Sequence, residues 1–179
     1  NPNAEVRLII TGEWSLPVRE AEAANALADA GCDVIACHVD SPKVIVETAE
    51  KRGVKSVGHN ADQSSLAPKG FITGAELKWG TVYTAYADLL TKGEKLPNEN
   101  YGGYDRDMVQ STSFGAGATD QAKAAALAAI EELKAGKPYF IGPIKSNTGK
   151  LISAETIELY DPSLWGTDYL VEGVIGSIT

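Results

Sequence analysis

Polar and aromatic side chains suited to binding a small ligand follow each of four short apolar segments. Imidazole, carboxylate, carboxamide, hydroxyl and ammonium groups can form hydrogen bonds with a ligand, and indole rings can stack on it. The eight candidate ligand-binding residues are Trp14, His38, Asp40, Ser41, Asn60, Asp62, Lys78 and Trp79. Aromatic walls with a few convergent polar groups are typical of small-molecule sites, so the pattern favours binding without catalysis.

Sequence patterns of catalytic and metal sites are missing. There is no G-x-S-x-G, P-loop, G-x-G-x-x-G after a strand, or H-E-x-x-H pattern. Two histidines exclude a histidine-rich metal site, and Cys32 and Cys37 bracket a single predicted strand. Five extended residues separate their Cα atoms by about 16 Å, beyond the reach of about 7 Å that a disulfide allows. We therefore expect no metal, no cofactor, no internal disulfide and no enzymatic activity.

Several candidates also have a purely structural interpretation. Asp40 could cap the following helix, and Asn60 and Asp62 could satisfy the backbone of their own turns. The turn interpretation suits Asp62 best. Trp14 could simply cover the edge of a sheet, and Trp79 could belong to the core.

The segment 31–63 predicts the βαβ unit that positions most candidates. The apolar runs 33–37 and 54–57 read as parallel strands, and the first is expected to be central and buried on both faces. Between them, Ser41 and Pro42 provide an N-cap and a first helical residue, and the helix should end at Gly53. The carboxyl ends of parallel strands share one sheet edge, which is where ligands bind in open α/β sheets.

Strands and helices alternate through the first part of the chain, which predicts an α/β fold with a parallel sheet and helices on both faces. Beyond the βαβ unit, Asp120 is the predicted N-cap of an alanine-rich helix to Lys134, and Asn147-Thr148-Gly149 is a predicted hairpin turn. The other predicted elements are strand Glu5–Thr11, a helix from Pro17 to Gly31, strand Phe71–Leu77, helix Trp79–Leu90, a short strand Met108–Ser111, and hairpin strands Tyr139–Ile144 and Leu151–Ile157. In strand Phe71–Leu77, Gly74 indicates a bulge or a close approach of two backbones. In helix Trp79–Leu90, the inward face is predicted to consist of Val82, Tyr83, Tyr86, Leu89 and Leu90.

Charge and hydropathy exclude two further classes of protein. The net charge of the 179 residues is -8, and no basic cluster is longer than Lys51-Arg52. A nucleic-acid backbone would be repelled by such a chain. No segment approaches the roughly 18 apolar residues that a membrane-spanning helix needs.

Three motifs resemble the BMP family of basic membrane lipoproteins, the substrate-binding proteins of ABC importers for purine nucleosides and nucleobases. They are Asp-Val-Ile-Ala-Cys-His-Val-Asp-Ser-Pro (33–42), Gly-His-Asn-Ala-Asp-Gln-Ser-Ser-Leu-Ala-Pro (58–68) and Tyr-Leu-Val-Glu-Gly-Val-Ile-Gly-Ser-Ile (169–178). The resemblance implies a type I periplasmic-binding-protein-like fold, in which two α/β lobes on a hinge enclose the ligand. It also implies a membrane permease as partner and a periplasmic or cell-surface location, often with a lipid anchor.

Family members are about twice as long as this chain, so the resemblance implies the carboxyl-terminal part of such a protein. Residues 1–105 are then expected to form the βα part of one lobe. Residues 106–179 would form a crossing segment, the alanine-rich helix and a hairpin and tail that return across the hinge. The first lobe would be missing from this chain, and with it a share of the ligand contacts.

One departure from the family pattern bears on the ligand. Asn60 falls where nucleoside-binding members carry an aspartate for the ribose hydroxyls, and Lys78 matches the lysine beside it. A carboxamide offers one donor and one acceptor edge, which suits a nucleobase better than a diol. The resemblance therefore favours a free purine such as adenine. An α/β enzyme acting on a nucleoside or sugar-like substrate through Asp40 and His38 is the alternative, and a regulator that reuses the two-lobe fold as a sensor is a third.

Overall fold

The computed structural model describes residues 3–178 and divides the chain into two compact units. One unit is Trp14–Ala135, and the other combines the residues up to Glu13 with those from Gly136 onward. The predicted boundary after residue 105 falls inside the first of these units. The division into a βα lobe, 1–105, and a crossing and returning segment, 106–179, stays a prediction.

A four-stranded sheet forms the centre of the unit Trp14–Ala135. Its strands are β2 (Val34–Ala36), β3 (Lys55–Asn60), β4 (Phe71–Leu77) and β5 (Val109–Ser111), in the order β2-β3-β4-β5. The first three are parallel, and β5 runs antiparallel to β4. The parallel α/β arrangement is the fold class predicted from the alternating pattern.

Four α-helices accompany these strands in the same unit. They are α1 (Pro17–Asp29), α2 (Lys43–Arg52), α3 (Trp79–Thr91) and α4 (Asp120–Lys134). Apolar residues of α1 and α2 pack on the β2 side of the sheet, where Ala24, Ile35, Ile45 and Ala49 are buried. A second apolar cluster joins Val46, Ala67 and Phe71.

The expectation that the strand after Gly31 is central and doubly buried is wrong. β2 lies at the end of the strand order of the described sheet, and its burial alternates: Ile35 is 2% exposed, whereas Val34 is 41% exposed. The physical reason lies in the partner of the first strand. β1 (Val6–Arg7) is shorter than the predicted Glu5–Thr11, and it pairs with β8 (Val174–Ile175) instead of joining β2.

The unit that contains β1 is built from short pairings. β1 and β8 are parallel, and β6 (Ile144–Lys145) and β7 (Leu151–Ser153) are antiparallel. A bridge between Phe140 and Ile157 continues this hairpin. Gly149 in its turn has φ 84°, a conformation that glycine adopts without strain. The predicted hairpin is thus confirmed with shorter strands.

Helix ends follow the predicted signals with small shifts. Gly53 closes α2 in the left-handed conformation as expected, but the helix starts at Lys43, and Ser41 supplies no cap because its hydroxyl pairs with Ser15. At α4 the cap is Thr119, whose hydroxyl accepts from the N–H of Ala122, so the predicted cap Asp120 is instead the first helical residue. These shifts leave the helix faces unchanged.

The inward face predicted for α3 is only partly correct. Val82, Tyr86 and Leu89 are partly buried, whereas Tyr83 and Leu90 are 63% and 60% exposed. Tyr83 stacks on Trp79 one turn earlier, with ring centroids 5.7 Å apart. The two rings cover each other, so the helical spacing of Trp79 and Tyr83 does not indicate that they are buried in the core.

Gly74 lies where two backbones approach closely, as its position in a strand indicated. It pairs with Gly58 of β3, and a Cβ at residue 74 would lie 3.1 Å from the Gly58 carbonyl. The irregularity of the β3–β4 ladder lies nearer the strand starts, between Ser56 and Val57. This close pairing brings the ends of β3 and β4 to one edge.

The described part of the chain, residues 3–178, has no helix that combines the length and apolar character needed to cross a bilayer.

Candidate functional site

Three rings meet beyond the carboxyl ends of β2 and β3. The His38 imidazole lies between Trp14 and His59, with centroid distances of 5.5 Å and 4.5 Å and interplanar angles of 65° and 62°. Trp14 is 60% exposed, so its indole presents a free face to solvent. We call Trp14, His38 and His59 the ring cluster. Because the rings meet edge to face, the flat surface available to a planar ligand is the exposed indole face of Trp14.

Backbone and hydroxyl contacts fix the Trp14 loop to the end of β2. The N–H of Asp40 donates to the Trp14 carbonyl at 2.7 Å, and the Ser15 hydroxyl donates to the Ser41 hydroxyl at 3.0 Å. Leu16, the next residue, donates its N–H to the Glu20 carboxylate at 2.8 Å. These bonds hold Trp14 against His38, although β1 does not belong to this sheet. Ser41 therefore has a structural contact as well as its predicted ligand role.

Two polar side chains beside the ring cluster keep their hydrogen-bonding groups available. Within residues 3–178, no hydrogen bond or ion pair engages the side chains of Asp40 and Asn60. Asn60 ends β3 with φ 69°, a backbone conformation that asparagine tolerates better than most residues. Unpaired carboxylate and carboxamide groups next to exposed rings can bind the edge of a ligand stacked there.

The remaining candidates contact residues outside the ring cluster. The Asp62 carboxylate accepts from the N–H of Ser64 at 2.8 Å, which lowers the pKa of Asp62 and matches its turn interpretation. Lys78 pairs with Asp107 at 2.5 Å, and Trp79 stacks on Tyr83. Both follow β4 at the same sheet edge as Asn60. The ligand-binding roles of all three stay predictions.

His59 is the site residue that sequence reasoning missed. It lies inside β3, where alternation gives no sign of function, and only the pairing of β2 with β3 places its ring against His38. Burial and the neighbouring His38 lower the pKa of His59, while Asp40 opposes this shift. The signal available in the sequence was its place next to Asn60.

A second concave region lies between β5 and α4. It encloses about 410 Å³ and includes Lys78, Asp107, Thr112, Leu127 and Lys134. The Lys78–Asp107 ion pair lies on its wall. No group of three or more histidine, cysteine or acidic side chains within residues 3–178 is arranged to hold a metal ion.

Cys37 has a protonated, unreactive thiol. Burial and the neighbouring Glu20 carboxylate raise the pKa of Cys37 to about 11. At pH 8 its thiolate fraction is then about a hundredth of that of an ordinary thiol. We predict that a Cys32→Ser variant, which retains only Cys37, reacts with iodoacetamide at pH 8 far more slowly than the thiol of glutathione does. Equal rates, measured by mass spectrometry, would contradict this environment.

Comparison with known proteins connects this edge to a transport family. The sequence model of the Bmp family, described as ABC transporter substrate-binding protein PnrA-like, matches residues 1–112. The chain belongs to this family. The resemblance drawn from the three motifs is thereby confirmed, and the match includes the ring cluster, Asp40 and Asn60. Family members bind substrates for transport across a membrane and act outside the cytoplasm, in the periplasm or extracellularly.

Two curated relatives carry names with different ligands. A purine-binding protein of Brucella abortus is 31% identical over 175 residues, which cover 97% of this chain and 49% of the relative. A putative ABC transporter glucose-binding protein of Haloferax volcanii is 29% identical over 133 residues, covering 74% and 34%. This chain thus spans about half the length of the first relative and a third of the second.

Two solved structures share the fold at low identity. A solute-binding protein of an ABC transporter system from Conexibacter woesei has a TM-score of 0.61 and 22% identity, over 78% of this chain and 47% of the other. A transcriptional activator of the comK gene from Bacillus halodurans has a TM-score of 0.62 and 20% identity, over 69% and 44%. Both support the periplasmic-binding-like fold.

Proposed function

We propose that this chain supplies one ligand-binding wall of an ABC-importer substrate-binding protein that binds a free purine base such as adenine. The observation that supports it best is the ring cluster next to the unpaired Asp40 and Asn60 side chains. A purine is planar and carries donors and acceptors on its edge, so it needs both features. The purine-binding relative from Brucella abortus supports the same ligand class.

Stacking and edge recognition divide the work between these residues. Trp14 is exposed and tied to Asp40 through its carbonyl, so its indole can lie over a purine face. The Asn60 carboxamide can donate a hydrogen bond to a ring nitrogen and accept one from an amino group. The Asp40 carboxylate can accept a further hydrogen bond from the ligand. A ribose diol offers two donors, which suit an aspartate at position 60 better than an asparagine.

The complete binding protein requires more chain than these residues. Since the chain spans 49% of the Brucella abortus relative, we propose that a facing lobe comes from the remaining half of such a protein. Closure of two lobes on a hinge would bury the purine and present the complex to a membrane permease. A lipid anchor outside the folded lobes would hold the protein at the membrane surface.

Titration of the complete two-lobe protein tests the ligand class. We expect a 1:1 complex with adenine by isothermal titration calorimetry, weaker binding of adenosine, and no binding of glucose. Glucose is the matched comparison because the Haloferax volcanii relative is named for it. Glucose binding without purine binding, or no binding of any base or nucleoside, would contradict the proposal.

Intact recovery of the ligand separates this function from the enzyme alternative. After incubation with adenosine, chromatography should return adenosine unchanged, because a binding protein makes and breaks no covalent bond. Release of adenine would instead favour an enzyme that acts through Asp40 and His38.

Adenine binding should weaken in mild acid because of His59. The lowered pKa of His59 means that the folded protein favours the neutral imidazole, and a ligand covering the ring cluster would bury it further. As pH falls through about 6.5, proton uptake then opposes both folding and binding. We predict a lower adenine affinity at pH 5.5 than at pH 7.5, measured by calorimetric titration at both pH values. A His59→Gln variant should lose this dependence, and an unchanged pH profile in that variant would refute it.

A further inference from the structure

Gln63 is almost buried and hydrogen-bonds both backbone groups of a single residue. It is 9% exposed, and its Nε2 donates to the His59 carbonyl at 2.6 Å while its Oε1 accepts from the His59 N–H at 3.2 Å. A carboxamide is the one side-chain group of this length that donates and accepts in a fixed plane. This geometry resembles a sheet pairing between a side chain and the end of β3.

The His59 carbonyl, which accepts from Gln63, belongs to a strained turn. The N–H of Ala61 also donates to the His59 carbonyl, at 2.9 Å, which closes a three-residue turn around Asn60. Asn60 has φ 69° there, and a three-residue turn with positive φ at its centre is rare and strained. Such a conformation persists only where surrounding contacts determine it. The Gln63 side chain provides such a contact, in addition to the pairing of His59 and Asn60 with β4.

The space for this side chain is built into β3. A Cβ at Gly58 would lie 2.6 Å from Gln63 Oε1 and 3.1 Å from the Phe71 ring, so only glycine leaves room for the amide. On its other side, the carbonyl of Gln63 accepts from the N–H of Leu66 in a 3₁₀ helix, Ser64–Leu66. That helix leads into Ala67, which is buried in the apolar cluster with Phe71. The amide is therefore anchored to the core and not to a mobile loop.

We propose that Gln63 is a positioning residue for ligand selectivity, holding the Asn60 turn so that the Asn60 carboxamide and the His59 ring face the purine. This inference rests on the proposed function and adds the residue that fixes its selectivity. Gln63 itself touches no ligand in this assignment. It acts through the backbone of His59.

Two substitutions test the two hydrogen bonds between the Gln63 side chain and the His59 backbone, which we call the clamp. Gln63→Met removes both hydrogen bonds at similar side-chain length, and Gln63→Glu keeps the acceptor but places a carboxylate against the His59 carbonyl. We expect both to lower adenine affinity by about tenfold and to reduce the adenine-to-adenosine ratio, since a loosened turn loses directional contacts. Gln121→Met, on an exposed position of α4, is the matched control and should change neither value.

A double variant distinguishes positioning from general support of the fold. In an Asn60→Gly background the positive φ is unstrained and the carboxamide is gone, so adding Gln63→Met should cost little further adenine affinity. Additive losses would overturn the proposal. Equal melting temperatures are not required, because the coupling is read from binding and not from stability.

Hydrogen exchange reads the clamp without any ligand. In wild-type protein the amide protons of His59 and Ala61 should be protected, and Gln63→Met should raise their exchange rates at least tenfold, while Gln121→Met leaves them unchanged. Unaltered exchange in Gln63→Met would refute the clamp whatever the ligand proves to be. A wild-type protein with protected amides that binds no purine would instead contradict the proposed function alone.

Discussion

Replacing Phe71 by alanine should lower the free energy of unfolding by about 3–5 kcal/mol, the range for removing a buried phenylalanine side chain. Its ring is 1% exposed and packs with Val46 and Ala67. A Cβ at Gly115 would lie 3.1 Å from the Phe71 ring, so the backbone at Gly115 already lies close to this ring. Urea denaturation followed by circular dichroism measures the change.

Tyr83→Ala is the control for this loss. Its ring is of similar size but 63% exposed on α3, and alanine favours the helix. We expect a change below about 1 kcal/mol, as for surface positions in general. Equal losses for the two variants would mean that the Phe71 cluster does not stabilise this unit.

Changing Asn60 to aspartate should reverse the ligand preference, with adenine binding weakened by about 1–3 kcal/mol, the cost of leaving a buried polar group unsatisfied. A carboxylate cannot donate a hydrogen bond to a ring nitrogen, but it can accept hydrogen bonds from both hydroxyl groups of a ribose. Adenosine binding should therefore improve. Because aspartate also tolerates positive φ, the turn at φ 69° should survive the change. Calorimetric titration with both ligands measures the adenine-to-adenosine ratio.

Lys78→Met provides the comparison for this variant. Lys78 pairs with Asp107, and its predicted role concerns ribose hydroxyls, so adenine affinity should change little while adenosine affinity falls. If Asn60→Asp leaves the ratio between the two ligands unchanged, Asn60 is only a turn residue. The assignment of the purine edge to Asn60 would then be wrong.

Local sequence patterns determined most of the elements of this protein. Strand Phe71–Leu77 has the predicted bounds, and the alanine-rich helix ends at Lys134 as expected. Gly53 ends α2 because its left-handed conformation stops the helix. Such signals act over a few residues, so they can be read without knowledge of the fold. The apolar runs before them, which are also short and linear, placed His38 and Asn60 at strand ends.

Tertiary structure alone decided which strands pair and which side chains meet. β1 pairs with β8, more than 160 residues away along the chain, and β2 lies at the end of the strand order in its own sheet. Strand partners are chosen by nonlocal hydrogen bonds and burial, for which no local pattern exists.

The candidate site shows the same division between local and nonlocal information. The sequence supplied Trp14, His38, Asp40 and Asn60, but the register of β2 on β3 brought His59 against His38. The role proposed for Gln63 follows only from the folded structure, in which the chain turns back and the Gln63 amide hydrogen-bonds the His59 backbone. A side chain that positions others through the backbone has no signature of residue type, since its role depends on the space and polar groups that the folded chain puts around it.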